Sequence, residues 1–444
     1  MKNKFNRLSL AVAIAAAAFA SQAHAGGYQI NEQSVSGQGY GHAGRSSNVN
    51  DATIVFGNPA GMSFLDRAQV TAGGTYLNVN TDINNATATR NGAPVEGSSD
   101  GDMVPGTLIP FAFYAHPVNE RLAFGFGVYA PFGSKTDYED GFIGRNLGNY
   151  TELTVMSAQP TVSYRFNEQW SVGAGLMYNR VDGELHRQVP TPVFGARPDL
   201  PGGVGPVGTQ ELDARIEGDD DGWGYNLGVM FQPTPETTLG LTYRSKVSYT
   251  LTGDYRSRDA SGEIYVNPLT GEAQDKAARL DLDTPETVNF SITQQMTDRL
   301  KLMAGASWTR WDRFDEILVT GPDGETITFE EQDYSNAWAY GLGGEYQLNP
   351  QLALRAGITL DFTPTSDEFR SARIPSDDRR IFSIGAGWSP TEDLTLDLAY
   401  SYLTERGTQV NQSRTDANET ITSTYSADYK NEAHGFGAQL TYRF

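Results

Sequence analysis

The sequence predicts an all-β protein: a 14-stranded antiparallel transmembrane β-barrel with an N-terminal plug in its lumen. Three observations predict it. Apolar and polar side chains alternate in many short segments. Short turns alternate strictly with long polar stretches. After the N-terminal leader there is no run of 18 apolar residues, so no helix spans a bilayer.

The leader occupies residues 1–25. Lys2, Lys4 and Arg7 form a basic start, an apolar stretch runs from Leu8 to Ala20, and Ala23-His24-Ala25 supplies a small-residue cleavage pattern. The apolar stretch falls short of the ~20 residues a spanning helix needs. The expectation is a cleaved signal peptide on a protein exported by a Gram-negative cell. Residues 26–66 follow; rich in Gly, Ser and Asn and without a strand period, they are expected to form a compact plug.

The barrel is expected over 67–444. Leu300, Leu302, Ala304, Ala306 and Trp308 oppose Lys301, Gly305, Ser307 and Thr309. Leu394, Leu396, Leu398, Tyr400 and Tyr402 enclose Thr395, Asp397 and Ser401. His434, Phe436, Ala438, Leu440, Tyr442 and Phe444 alternate with smaller or polar residues. A strand sends successive side chains to opposite faces, so each segment has one apolar and one polar side. A soluble sandwich would show the same period, and the connections decide between the two. Turns at 116–120, 166–169, 232–236, 297–298, 348–351 and 390–393 are short and carry Asn, Asp or Pro. Between them lie long polar stretches at about 79–107, 132–151, 188–221, 252–283, 313–333, 363–379 and 404–432. Short turns on one side and long loops on the other are the plan of an outer-membrane barrel. Trp170, Trp308, Trp338 and Trp388 fall towards strand ends, where interfacial girdles lie, and an aromatic strand ends at Phe444.

Composition narrows the function. Hydrophobic residues make up 39% and aromatic residues 11%, which excludes wholesale disorder. The absence of Cys removes disulfides, thiolate metal sites and Cys nucleophiles. A formal charge of −21 argues against nucleic acid as a partner, because phosphate binding needs clustered Lys and Arg. The mean hydropathy of −0.44 reads as soluble, but it averages apolar outer faces, polar inner faces and polar loops.

Gly27-Tyr28-Gln29-Ile30-Asn31-Glu32, Asn50-Asp51-Ala52, Asn58-Pro59-Ala60, Leu241-Thr242-Tyr243-Arg244-Ser245 and Arg373-Ile374-Pro375-Ser376-Asp377-Asp378-Arg379 occur in that order across the chain. In this the sequence closely resembles the FadL-type outer-membrane transport proteins, which carry long-chain fatty acids and, in some branches, aromatic hydrocarbons. The resemblance covers essentially everything after the leader. It implies a hatch inside the barrel, an extracellular groove that captures an apolar ligand, a buried pocket, and sideways release where the third strand kinks.

The same resemblance places Gly26, Gly27, Tyr28 and Ile30 beside the ligand tail and makes Asn58, Pro59 and Ala60 part of the fixed core of the hatch. A plain turn before the first strand is the other reading of that tripeptide. In the third strand, Pro131 cannot donate to a ladder, and Gly125, Gly127 and Gly133 leave room for backbone to bend or a ligand to pass. Pro131 either kinks the strand or begins the following loop. A carboxylate head needs cations or oriented donors. Arg187 has the inward parity of Gly173 and Gly175, and the family carries an Arg close by. Arg244 and Lys301 are further candidates on inward registers, with ordinary lumen polarity as the competing reading.

Gly39-Tyr40-Gly41-His42-Ala43-Gly44 satisfies G-x-G-x-x-G but follows no strand, so it is no dinucleotide site. Asp219-Asp220-Asp221 lacks calcium-loop spacing; a solvated loop, or divalent bridging to lipopolysaccharide, is the expectation. No histidine lies in a hydrolase motif. The sequence therefore predicts no enzyme, no cofactor and no metal site. It predicts a monomeric, passive outer-membrane channel for long-chain fatty acids or another apolar small molecule, with monoaromatic hydrocarbons or alkanes as the alternative cargo.

Overall fold

The structure, a computed structural model, describes residues 27–201, 203–416 and 420–444. The leader and Gly26 lie outside the described residues. Among the described residues, fourteen antiparallel strands close into a barrel. They are β1 (Gln69–Arg90), β2 (Thr107–Pro117), β3 (Leu122–Asp137), β4 (Tyr150–Arg165), β5 (Trp170–Ala196) and β6 (Val204–Thr234). β7 comes in two pieces (Thr237–Arg244 and Val247–Arg258), as does β8 (Asp275–Thr284 and Thr287–Gln295). Then follow β9 (Leu300–Thr309), β10 (Ala337–Asn349), β11 (Leu352–Asp361), β12 (Arg379–Trp388), β13 (Leu394–Glu405, resumed at Thr408–Thr415) and β14 (Thr422–Arg443). The seam is a β1–β14 ladder running from Gln69↔Arg443 to Arg90↔Ser423.

Burial explains why the alternating segments become wall. Phe124, Leu176, Leu342, Ile384, Leu398 and Phe436 point outward and are exposed. So large an apolar belt is tolerable only against lipid. Their neighbours Thr71, Gln159, Ser163, Ser171, Thr242, Gln439 and Thr441 point inward and are buried. Trp170, Trp338 and Trp388 are exposed near strand ends.

Much of what reads as long loop is strand. β5 and β6 pair from Trp170↔Phe231 out to Ala196↔Val204, well past the ~10 residues that cross a bilayer. The stretch 188–221 is therefore the outer part of a hairpin. Beyond the membrane both faces meet water or loops, so pairing persists through backbone hydrogen bonds after the apolar period has gone.

Residues 27–66 lie inside the wall. Two short helical turns, α1 (Val35–Gly39) and α2 (Ile54–Gly57), precede a 3₁₀ turn over Pro59–Phe64. Ser34 caps α1 by accepting from Gly37 N, and Asn58 caps the 3₁₀ turn with Pro59 in its first position. Hydrogen bonds tie the segment to the wall on several sides: Gln38 Nε2 to Gly435 O (3.2 Å) on β14, Thr359 Oγ1 to Gly41 O (2.7 Å) on β11 and Ser46 Oγ to Gly240 O (3.0 Å) on β7. The G-x-G-x-x-G stretch belongs to this docking: a Cβ on Gly41 would stand 3.0 Å from Thr359 Oγ1.

Candidate functional site: a chamber behind an interrupted strand

The site begins with a defect in the wall. β3 pairs with β2 only from Pro117↔Ala123 to Ala112↔Val128; the outer half of β2 pairs with β1 alone. On its other side β3 loses register with β4 between Tyr129↔Ser157 and Phe132↔Val155, so Ala130 and Pro131 together oppose Met156. Two residues against one is a bulge, which bends the strand. Residues Tyr129 to Ser134 are all buried, whereas Phe124 and Phe126 are exposed, so the strand turns inward. Pro131 thus lies within β3.

The N-terminal segment takes the partner's place along this stretch. Ile30 N donates to Pro131 O (2.9 Å) and Gly133 N donates to Tyr28 O (2.9 Å), with Gln29 bridging Phe132. Gln33 Nε2 donates to Ala130 O at 2.5 Å. Buried Ile30, Ile109 and Ala130 meet where β2 and β3 part. Gly125 and Gly127 admit neighbours instead of a passage. A Cβ on Gly125 would stand 2.4 Å from Met62 Sδ, and one on Gly127 would stand 2.6 Å from the Phe113 ring.

Behind the bulge is an aromatic cluster. Tyr28 makes edge contacts with Phe132 (5.9 Å between centroids), Trp311 (4.8 Å) and Phe314 (5.3 Å), and Tyr334 touches both Trp311 and Phe314. Gly27 makes the approach possible. Its φ is +61°, and a Cβ there would stand 2.6 Å from the Trp311 ring. Gly27→Ala is expected to cost about 2–4 kcal/mol from left-handed backbone plus overpacking, read as a lower thermal midpoint of the purified barrel.

Outward of the cluster lies an apolar chamber of about 770 Å³, its open mouth included. Tyr28 and Phe314 form one end, and Leu153, Leu251, Leu280, Leu282, Ile317 and Ile374 line the walls. The rim carboxylates are matched by cations. Glu184 pairs with Arg215 (2.9 Å), Glu217 with Arg256 (2.7 Å) and Glu152 with Lys135 (3.2 Å). A smaller recess shares Leu185, Ile216, Ile317 and Arg373 with the chamber and adds Arg187 and Glu330. There Glu330 serves both Arg373 (3.3 Å) and Arg414 (3.1 Å). Arg373 also donates to Tyr150 O, Leu147 O and His186 O. The Arg187 side chain has no hydrogen bond or ion pair among the described residues. Both Arg187 and Arg414 lie outside the bilayer, and burial pulls each below its ordinary range. A guanidinium keeps its proton regardless, so the recess carries a cationic surplus.

The other sequence-derived candidates lie elsewhere. Lys301, near the turn end of β9, pairs with Glu345 (3.0 Å) and donates to Asn48 Oδ1 (3.2 Å) and Asn50 Oδ1 (3.3 Å). It anchors the N-terminal segment, far from the chamber walls; inward parity gave its face but not its depth. Asn58 Nδ2 donates to Ser46 O (2.7 Å) and Val229 O (3.0 Å), Pro59 packs against Gly228, and Ala60 O accepts from Ser163 and Ser171. That tripeptide is a knot tying the segment to β4, β5 and β6. Arg244 is buried beside Tyr129 at the bulge. Asp219 pairs with Arg180 (2.6 Å) and Asp220 accepts from Thr250 N (2.6 Å). Among the described residues no group of three or more His, Asp or Glu is placed to hold a metal.

A closed wall, an occluded lumen and an apolar chamber beside an interrupted strand define a transport barrel of the outer membrane. Residues 16–444 match the family described as outer membrane protein transport protein (OMPP1/FadL/TodX), and the chain belongs to that family. It is 30% identical to outer membrane protein P1 of Haemophilus influenzae, over 99% of this chain and 100% of that protein. It is 26% identical to the long-chain fatty acid transport protein of Escherichia coli O6:H1, over 100% and 99%. The crystal structure of a Pseudomonas aeruginosa FadL homologue superposes with a TM-score of 0.84 at 26% identity, covering 94% of this chain and 100% of that one. The protein is an outer-membrane transporter of hydrophobic compounds and not an enzyme.

Proposed function

We infer that the cargo is a long-chain fatty acid. The observation that carries this reading is an apolar chamber whose recess is lined by Arg187, Arg373 and a single Glu330, which also pairs with Arg414. Each CH₂ leaving water contributes ~0.8 kcal/mol, so the leucine walls hold the tail without any reaction. The carboxylate takes up part of this cationic surplus, at Arg187. Residues 26–66 act as the hatch inside a barrel of 67–444. The tail passes Tyr28 and Phe132 towards Ile30, Ala130 and Ile109, then leaves sideways where β2 and β3 part. A closed barrel has no strand edge to pair, and the working unit is one chain.

Arg187→Gln is expected to weaken oleate binding by the purified protein ~10- to 100-fold, the equivalent of one charged hydrogen bond, and to leave methyl oleate unchanged. Equal affinity of the variant for oleate would remove the head-group assignment. The five-ring cluster around Tyr28 favours a second cargo, a monoaromatic hydrocarbon, which makes edge contacts but has no use for Arg187. A deletion strain that loses growth on toluene and keeps it on oleate would select that reading.

A further inference from the structure

Arg244 is nine-tenths buried in the lumen at the inner end of the interruption. Among the described residues its guanidinium donates only to uncharged groups: Tyr129 Oη (2.6 Å), Gln159 Oε1 (3.4 Å), Met177 Sδ (2.7 Å) and Phe56 O (3.3 Å). A second cation, Arg45, shares the Phe56 ring with it. Phe56 has Arg244 4.5 Å from its ring centroid and Arg45 5.9 Å from it. A buried cation without an anion costs several kcal/mol, and such groups in membrane proteins mark pathways.

A second polar group is left over at the same place. Asn226 faces Arg244 directly across the β6–β7 ladder and is 1% exposed, and among the described residues neither its Nδ2 nor its Oδ1 has a partner. Gly175 leaves space in front of it; a Cβ there would stand 2.3 Å from Asn226 Oδ1 and 2.9 Å from Gln159 Nε2. Tyr129, whose hydroxyl meets Arg244, is the last β3 residue paired before the bulge, and its ring stacks on Phe113 of β2 (5.7 Å). The unmatched cation and the unmatched amide therefore lie just inside the gap.

We propose that Arg244 and Asn226 form a second carboxylate station on the lumen side of the β3 bulge. It holds the head group of a fatty acid while the tail enters the gap. The carboxylate oxygens accept from the Arg244 guanidinium and from Asn226 Nδ2, with Tyr129 swinging aside. This rests on the fatty-acid reading of the chamber and adds to it: the head leaves the Arg187 recess and stops once more before release. Tyr129 Oη stands at the station and covers the cation.

The test uses the full chain in a deletion strain, with labelled oleate and labelled oleyl alcohol as probes, and oleate binding to the purified barrel. Arg244→Gln is expected to slow oleate uptake at least tenfold, to leave oleyl alcohol uptake unchanged and to leave oleate affinity at the outer chamber intact. A parallel fall for acid and alcohol would make Arg244 a strut for Phe56 and Tyr129 and overturn the proposal; so would no change in either. Should Arg244→Gln fail to give a heat-modifiable folded barrel, Asn226→Leu carries the same expectations and the same overturning results. Wild type that binds no oleate would remove the reading of the chamber. Wild type that transports oleate beside an unaffected Arg244→Gln variant removes only the second station.

Discussion

Deletion of Pro131 is expected to abolish uptake while the barrel still assembles. Ala130 and Pro131 together oppose Met156, and removing one residue restores one-to-one pairing between Tyr129↔Ser157 and Phe132↔Val155. Ala130 then faces outward and Phe132 keeps its inward face, so every residue beyond the bulge retains its side. The straightened strand can continue its ladder with the outer half of β2, now paired only with β1. Each recovered backbone hydrogen bond contributes about 1 kcal/mol, and together they offset the three lost to the N-terminal segment, Ile30 N–Pro131 O, Gly133 N–Tyr28 O and Gln33 Nε2–Ala130 O. The expected result is oleate uptake at the level of the deletion strain, at least a hundredfold down, with a thermal midpoint equal to or above wild type. Retained uptake would move the exit away from β3.

The second large effect concerns the seat of the N-terminal segment. A Cβ on Gly240 would stand 1.8 Å from Ser46 O, against the roughly 3.5 Å of an ordinary contact, and the obstacle is backbone. Gly240→Val therefore unseats Ser46. Four hydrogen bonds go with it: Ser46 Oγ to Gly240 O, Ser46 N to Ser291 Oγ, the one between the Ser46 and Ser291 hydroxyls, and Asn58 Nδ2 to Ser46 O. At about 1 kcal/mol each, about 4 kcal/mol is lost. The expected outcome is a wall that forms around a displaced segment, seen as a lower thermal midpoint and new sensitivity of cells to large hydrophilic antibiotics. Gly208→Ala, where an added Cβ meets nothing within 4 Å, is the neutral control. Unaltered sensitivity in Gly240→Val cells would mean that the segment does not seal the lumen.

The wall was legible in the sequence because lipid on one side and a polar lumen on the other impose a period of two. The inner ends of the strands, at Pro117/Leu122 and Gln295/Leu300 for example, were marked by turn residues. The outer strands were not legible, since water on both sides removes the period. The chamber was only partly legible. Val247, Tyr249 and Leu251 alternate with Ser248 and Thr250, an apolar face immediately before the stretch that reads as loop from 252 onward. That face points inward because the break at Ser245–Lys246 resets the parity of β7, which no periodicity reveals. Arg373 belongs to a legible motif, but its meeting with Arg414 and Glu330 joins three separate extracellular segments. Parity gives Arg187 and Lys301 the same inward face, yet Arg187 lines the recess and Lys301 stands at the other end of the barrel.

The β1–β14 seam also sets the order of assembly. Gln69 finds Arg443 only after nearly the whole wall has been made, so closure is a late, non-local event with a large loop-entropy cost. The N-terminal segment bonds to β14 through Gln38, to β7 through Ser46 and to β11 through Gly41. It cannot thread into a finished cylinder and acquire all these partners. It must be lying in the open sheet when the edges meet, serving as the former around which the last strands zip.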